Sequence, residues 1–360
     1  MRLKRSDPNG PGLRRIRRGK GFSYLGSDGR TVHRADEERI RRLAIPPAWR
    51  QVWICPFPNG HIQAVGTDAA GRRQYLYHPR WQQERSEEKF DRVLQMAPSL
   101  PGARARIAED LDAPGLHRDR VVALGLHLLD RGYFRAGGEA YANKEAANKE
   151  ASNNEASNSE AGENNSYGIA TLLCEHIRMR NGSVLFDYPA KHGIQRSWQV
   201  DDPAVVCAVR QLLRENPGGR LLVYRSESGW TELHAEDLNA RFKDLVGEDH
   251  SVKDMRTWHG TVLAAAAFVD ADPPVNQTVR KRVQAAIMRE VSEELGNTPA
   301  VVRSSYVDPR VVYAYENGIT IAASARRAAR TADRDAAQAI LEKGTATMIR
   351  RIARTSVPRR

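Results

Sequence analysis

Residues 252–269 read VKDMRTWHGTVLAAAAFV. The spacing predicts a helix over 254–269, almost wholly apolar in its second half, and such a helix must be buried. The chain therefore has a sizeable helical core. Arg256 falls near the start of this helix, Lys253 one turn earlier, and His259 inside it. An arginine at a helix start is ordinarily solvated, and a histidine there is ordinarily a core or capping residue. Their meaning depends on what the rest of the chain supplies.

Downstream, helical patterns cover 279–295 and 310–315. Upstream they cover 121–129, 167–177, 203–214 and 234–245, with two strands at 183–188 and 194–200 around a turn at 189–193. The text before residue 98 is different. Short aromatic pieces (FSYLG, VWICPF, HIQAVGT, RQYLYH) are separated by turn signals at 27–29, 58–60 and 68–71, with helices expected over 35–43 and 81–96. The fold class is α+β: a small antiparallel β-rich N-terminal domain over 21–98 and a mainly α-helical domain over 99–325. Residues 1–20, rich in Arg, Gly and Pro, read as a disordered basic arm. Residues 326–360 read as an Ala/Arg-rich helical pattern ending in a loose basic tail.

Asn143–Gly162 is four tandem pentads, NKEAA, NKEAS, NNEAS and NSEAG. Glutamates every five residues match neither a helix face nor a strand face. The segment reads as an exposed loop expansion, of little consequence for closure of the loop.

The 360 residues are 41% hydrophobic and 28% charged, which excludes global disorder, and the net charge is +12. A chain this basic is expected to meet an anionic partner. The excess is at the ends: residues 1–20 and 321–360 each carry seven net positive charges, leaving 21–320 near neutral. No run is long and apolar enough for a membrane span, and the basic N-terminus lacks the apolar stretch of a secretory signal. Cys55, Cys174 and Cys207 form no CxxC pair, so neither a zinc site nor a disulfide framework is indicated, and a reducing, cytoplasmic setting is expected.

Cutting a DNA phosphodiester without metal needs a nucleophile, donors for the non-bridging oxygens, an acid for the leaving alkoxide, and a way to hold the cut end for religation. Tyr, Arg and Lys suit the first three tasks. Four segments supply them in order: FRAGGEAY with Arg135, DYPAKHG with Lys191, VKDMRTWHGT with Arg256, and LGNTPAVVRSSYVDPR with Tyr306. Together they resemble the active-site segments of type IB DNA topoisomerases, in the small form shared by bacteria and poxviruses. IPPAWRQVWICPFPNGHIQAVGTDAAGRRQYLYHPRW is similar to that family's N-terminal DNA-clamping domain.

The resemblance implies a C-shaped clamp on double-stranded DNA, a catalytic fold shared with tyrosine recombinases, and relaxation of positive and negative supercoils by a monomer. Tyr306 would form a 3′-phosphotyrosyl link, Arg135 and Arg256 would hold the scissile phosphate, and Lys191 would protonate the 5′-hydroxyl. Gln74, Tyr75 and Tyr77 match DNA-contacting positions, and Lys253 is placed to touch backbone phosphate. Asn297 stands where poxviral and eukaryotic members have His. It can still donate an NH₂ to a non-bridging oxygen, but it cannot titrate. No cofactor or metal is expected, since the sequence has neither a P-loop motif nor an evident carboxylate metal cluster. Tyr313 and Tyr315 are the rival nucleophiles. Two other functions compete: a tyrosine site-specific recombinase, which usually has His where Lys253 stands, and a catalytically silent DNA-binding protein.

Overall fold

In the first ninety residues, alternation of inward and outward side chains builds one sheet. The structure is a computed structural model that describes residues 2–19, 21–138, 166–216 and 218–356. The pentads of Asn143–Gly162 lie outside the described residues. The chain divides into two units, Met1–Asp91 and Arg92–Arg360.

The first unit holds β1 (Leu13–Arg18), β2 (Gly21–Leu25), α1 (Arg34–Arg42), β3 (Arg50–Ile54), β4 (Ile62–Thr67) and β5 (Arg73–Tyr77). The strands form one antiparallel sheet in the order β2-β1-β3-β4-β5. One face packs on α1 through Ile40, Ile45, Val52, Ile54 and Ala64, with Leu13, Trp49 and Leu76 at its border. Here the expected basic arm is corrected. Residues 13–18 are a strand between β2 and β3, not a free tether. Arg15 explains how an arginine-rich segment can enter the sheet: its guanidinium donates to the carbonyls of Ile45, Pro46 and Trp49 and lies over Phe22.

The division between the units falls inside α2 (Pro79–Met96). The second unit continues with α3 (Leu100–Asp112), α4 (Arg118–Arg131), a three-stranded antiparallel sheet β6 (Ile177–Arg180), β7 (Ser183–Pro189) and β8 (Gln195–Val200), and α5 (Pro203–Glu215). A hairpin follows, β9 (Val223–Ser226) and β10 (Gly229–Glu232), then α6 (Ala235–Val246), α7 (Val252–Ala267), α8 (Gln277–Leu295), α9 (Pro299–Ser305), α10 (Pro309–Glu316), α11 (Ala322–Ala328) and α12 (Arg334–Ser356). Helix α7 is the centre of this unit. Val252, Met255, Trp258, Val262, Ala264 and Ala265 on it are all buried in one hydrophobic core. Truncating Trp258, which is 1% exposed, would cost about 3–5 kcal/mol.

Two expectations are corrected. Residues 167–177 form short 3₁₀ turns, Ile169–Thr171 and Cys174–His176, instead of a helix. Tertiary hydrogen bonds take the backbone away from helical pairing: Tyr167 N–H to Pro189 O, Ile169 N–H to Arg135 O and Ala170 N–H to Ala136 O. The helical pattern expected after residue 326 is present, but it belongs to the helical unit and does not stand outside it as a tail; residues 357–360 lie outside the described residues. Helix α12 buries Ala346, Met348, Ile349 and Ile352 in the same core as α7. Among the described residues, no helix is long and apolar enough to cross a membrane.

Candidate active site

The end of α8 organises the site. Gly296 takes the left-handed conformation (φ 55°, ψ 50°) that stops the helix, and the Asn297 N–H returns to Ser292 O at 2.9 Å. This leaves the last carbonyls of α8, the negative end of its dipole, without helical partners. Three arginines occupy them. Arg196 donates to Glu294 O (3.1 Å), Arg256 to Leu295 O, and Arg135 to Gly296 O (2.8 Å). Arg135 also donates to Asn297 Oδ1, and Arg256 to Tyr133 O.

Each arginine arrives from a different element. Arg135 lies in the loop after α4, fixed by the backbone bonds from Ile169 and Ala170. Arg256 projects from the first turns of α7, whose start is set by Asp254 capping the Ser251 N–H and hydroxyl. Arg196 comes from β8, in phase with Trp198 and Val200 on the inward side of that strand. The guanidinium of Arg256 lies 5.5 Å from the centre of the Tyr306 ring, and both Arg135 and Arg256 interact with the Tyr306 hydroxyl.

The electrostatics are one-sided. Among the described residues, neither Arg135 nor Arg256 has a carboxylate partner. Burial, and then the charge of Arg135, lower Arg256 to about 10; burial likewise lowers Arg135. Arg256 is 5% exposed, and its buried Nε–H has no partner among the described residues. The site thus crowds like charges and leaves one buried donor of Arg256 unused among the described residues.

Tyr306 caps the C-terminus of α9 and is half-buried. Its backbone is held against α7: Thr261 Oγ1, whose single proton is shared between Thr257 O (2.9 Å) and Tyr306 O (3.2 Å), accepts from the Asp308 N–H (3.1 Å). Gly260 is packed so closely that an added Cβ would come 2.7 Å from Tyr306 O. Gly260→Ala should therefore push the tyrosine off its position while leaving α7 helical. The expected result is an unchanged far-UV spectrum and, for any reaction that uses the Tyr306 hydroxyl, a rate lower by about 10²-fold, as for a misplacement near 1 Å.

The remaining predicted residues are placed as follows. Lys191 lies exposed in the turn between β7 and β8 and borders, with Arg135, Tyr167 and Gly168, a cavity of about 170 Å³. Among the described residues it has no hydrogen-bond or ion-pair partner. Lys253 is exposed on α7, one turn before Arg256. Of the rival tyrosines, Tyr315 is 2% exposed with its hydroxyl donated to Asp272 O, and Tyr313 is exposed. In the other unit, Tyr75 and Tyr77 stack at 6.0 Å on the open face of β5. Gln74 alternates to the other side of that strand, where its amide donates to Asp68.

Two features escaped the sequence reading. Arg196 ties the carbonyl of Gly132, at the end of α4, to the end of α8. Its phase with Trp198 and Val200 was the available signal. The second is a buried charge network. Arg104 spans Asp130 and Glu342 with two donors to each, and Asp130 also accepts from His259 Nε2 at 2.9 Å. His259 in turn packs at 4.9 Å on Tyr133, the residue with φ 50° whose carbonyl receives Arg256. The network thus joins α12 to α3, α4 and α7 behind the arginines.

A β-sheet unit followed by a mainly helical unit that gathers a buried arginine, Arg256, and a half-buried one, Arg135, around a tyrosine is the arrangement expected of an isomerase that acts on DNA. Residues 21–68 match the bacterial DNA topoisomerase IB N-terminal domain, so β1 lies ahead of that stretch. Residues 154–332 match the eukaryotic DNA topoisomerase I catalytic core. The chain is 28% identical over 316 residues to the DNA topoisomerase 1B of Acanthamoeba polyphaga mimivirus, covering 85% of this chain and 88% of the relative. The chain belongs to the type IB DNA topoisomerases, isomerases that act on DNA.

Proposed function

We propose that the protein relaxes positive and negative supercoils by cutting and resealing one DNA strand, with Tyr306 as nucleophile. The Tyr306 Oη attacks phosphorus, the Oη–P bond forms and the P–O5′ bond breaks. Lys191 Nζ gives a proton to the departing 5′ oxygen, and the phenol proton passes to solvent. The free 5′ end rotates about the intact strand under torsional stress, and the reverse steps reseal it. The 3′-phosphotyrosyl bond conserves the energy of the original ester, so no ATP is consumed.

In this account the scissile phosphate binds between Arg135 and Arg256, whose charges lack carboxylate partners among the described residues. Its non-bridging oxygens replace the α8 carbonyls as acceptors for Arg135 and Arg256, and negative charge restores both guanidinium pKa values. Asn297 contributes its amide NH₂, which is held only by a 3.4 Å contact to Leu295 O. Lys253, exposed beside Arg256, is assigned to backbone phosphate. Tyr75 and Tyr77 form the duplex-facing surface of the N-terminal unit; Gln74 would join them only by releasing Asp68. The protein would work as a monomer in the cytoplasm, on the nucleoid.

The observation that carries this reading is the pair of carboxylate-free arginines, Arg256 buried and Arg135 half-buried, on one tyrosine. Purified protein is expected to relax a supercoiled plasmid in EDTA without ATP, on DNA of any sequence. A requirement for a specific paired site and recombinant products would show a recombinase instead. Binding without relaxation would show a silent DNA-binding protein.

A further inference from the structure

The first strand, which lies ahead of the stretch matched to the N-terminal domain, is highly basic. Residues 13–18 read LRRIRR, and the sheet register decides which way each arginine faces. Leu13 pairs with Ile54, Ile54 with Ala64 and Ala64 with Leu76, a row on the core face. One residue on, Arg14 pairs with Trp53, Trp53 with Val65 and Val65 with Tyr75. Partnered residues project to the same side of a sheet, and the side alternates along each strand. Arg14, Ile16 and Arg18 therefore lie exposed on the same side of the sheet as Tyr75 and Tyr77, with half-buried Trp53, bonded to Gly10 O, and buried Val65 between them, whereas Arg15 and Arg17 face the other way.

We propose that β1 belongs to the duplex-contacting surface, with Arg14 and Arg18 binding DNA phosphates beside Tyr75 and Tyr77. This rests on the reading of Tyr75 and Tyr77 as duplex-facing. Three further observations carry it. Arg14 and Arg18 are exposed and have no ion-pair or hydrogen-bond partner for their side chains among the described residues. A second row on the same face, Arg50–Thr67–Arg73, adds two arginines, and no strand residue on that face is acidic. The spacing also suits a duplex. Three inter-strand steps separate β1 from β5, about 14 Å at the usual 4.8 Å per step. That is close to the roughly 12 Å width of a major groove, so with the tyrosines at the groove β1 reaches a bordering backbone.

The test measures binding of the full chain to a fluorescein-labelled 30-base-pair duplex as salt is raised. Each phosphate contact contributes close to one unit to the slope of log K against log salt. Arg14→Gln/Arg18→Gln is expected to reduce the slope by about two units, and Arg14→Lys/Arg18→Lys to retain it. Arg17→Gln, on the same strand but the opposite face, is expected to change it by less than half a unit. An unchanged slope in the Arg14/Arg18 glutamine variant, or an equal loss in Arg17→Gln, overturns the proposal. If the glutamine variant unfolds, the single variants Arg14→Gln and Arg18→Gln decide, each expected to lose about one unit. Tyr75→Ala/Tyr77→Ala separates the two readings. If it binds like the parent, the reading of the face itself fails. If it binds weakly while the arginine variant does not, only the proposal for β1 fails.

Discussion

Tyr306→Phe is expected to bind DNA like the parent and to lose cleavage by more than about 10⁴-fold, the scale on which removing a nucleophile acts. The substitution removes one oxygen and leaves the ring beside Arg256, 5.5 Å from its guanidinium carbon. Its backbone anchor to Thr261 is untouched. Neither neighbouring tyrosine can take over: Tyr315 is buried with its hydroxyl engaged, and Tyr313 lies on the exposed side of α10. The readout is single-turnover cleavage of a duplex alongside its affinity. Residual cleavage within 100-fold of the parent would remove Tyr306 from the mechanism.

Arg104→Met is expected to have the largest effect on stability. Arg104 satisfies Asp130 and Glu342 together, and all three side chains are nearly inaccessible to solvent. Removing the cation leaves buried Glu342 without its counter-charge and Asp130 with only Arg131, at 3.5 Å, and His259, a loss of about 3–5 kcal/mol. For a unit of this size that lowers the melting temperature by roughly 10 °C. A fall of under 3 °C would mean that the network is not a major support.

Its pH dependence follows from Asp130. Burial alone would raise that carboxyl, but the hydrogen bond and charge of His259 and the bonds from Arg104 outweigh it and hold it well below the usual carboxylate range. A carboxyl whose folded pKa is depressed adds stability above its unfolded value, near 4, and that stability is lost as pH falls through the acid range. The loss on Arg104→Met should accordingly be greatest near neutral pH and shrink toward pH 3.

These two outcomes also mark what the sequence could and could not convey. Arg135, Lys191, Arg256, Asn297 and Tyr306 were singled out because the short segments that carry them resemble a known family's; taken alone, each has the local pattern of an ordinary solvated or core residue. Arg196 was readable in principle from its phase on β8. Arg104, Asp130 and Glu342 were not, because their partnership spans 26 and 238 residues and no local pattern encodes it. The N-terminal arm was misread for a related reason. Four arginines in six residues suggest a solvated tether, yet Leu13 joins the core and Arg15 finds three backbone carbonyls at a distance of thirty residues or more. The consequence is practical. Deleting residues 1–20 would remove a strand from the interior of the sheet, not merely weaken salt-sensitive binding.

In the proposed reaction Tyr306 becomes covalently attached to the 3′ side of the break. The most direct measurement is to trap the complex on a nicked suicide duplex, digest it, and locate the modified residue and the linked nucleotide by mass spectrometry. The predicted result is a single peptide spanning 304–310 with a 3′-phosphonucleotide on Tyr306. A nucleotide joined through its 5′ phosphate, or one carried by Tyr313, would contradict it.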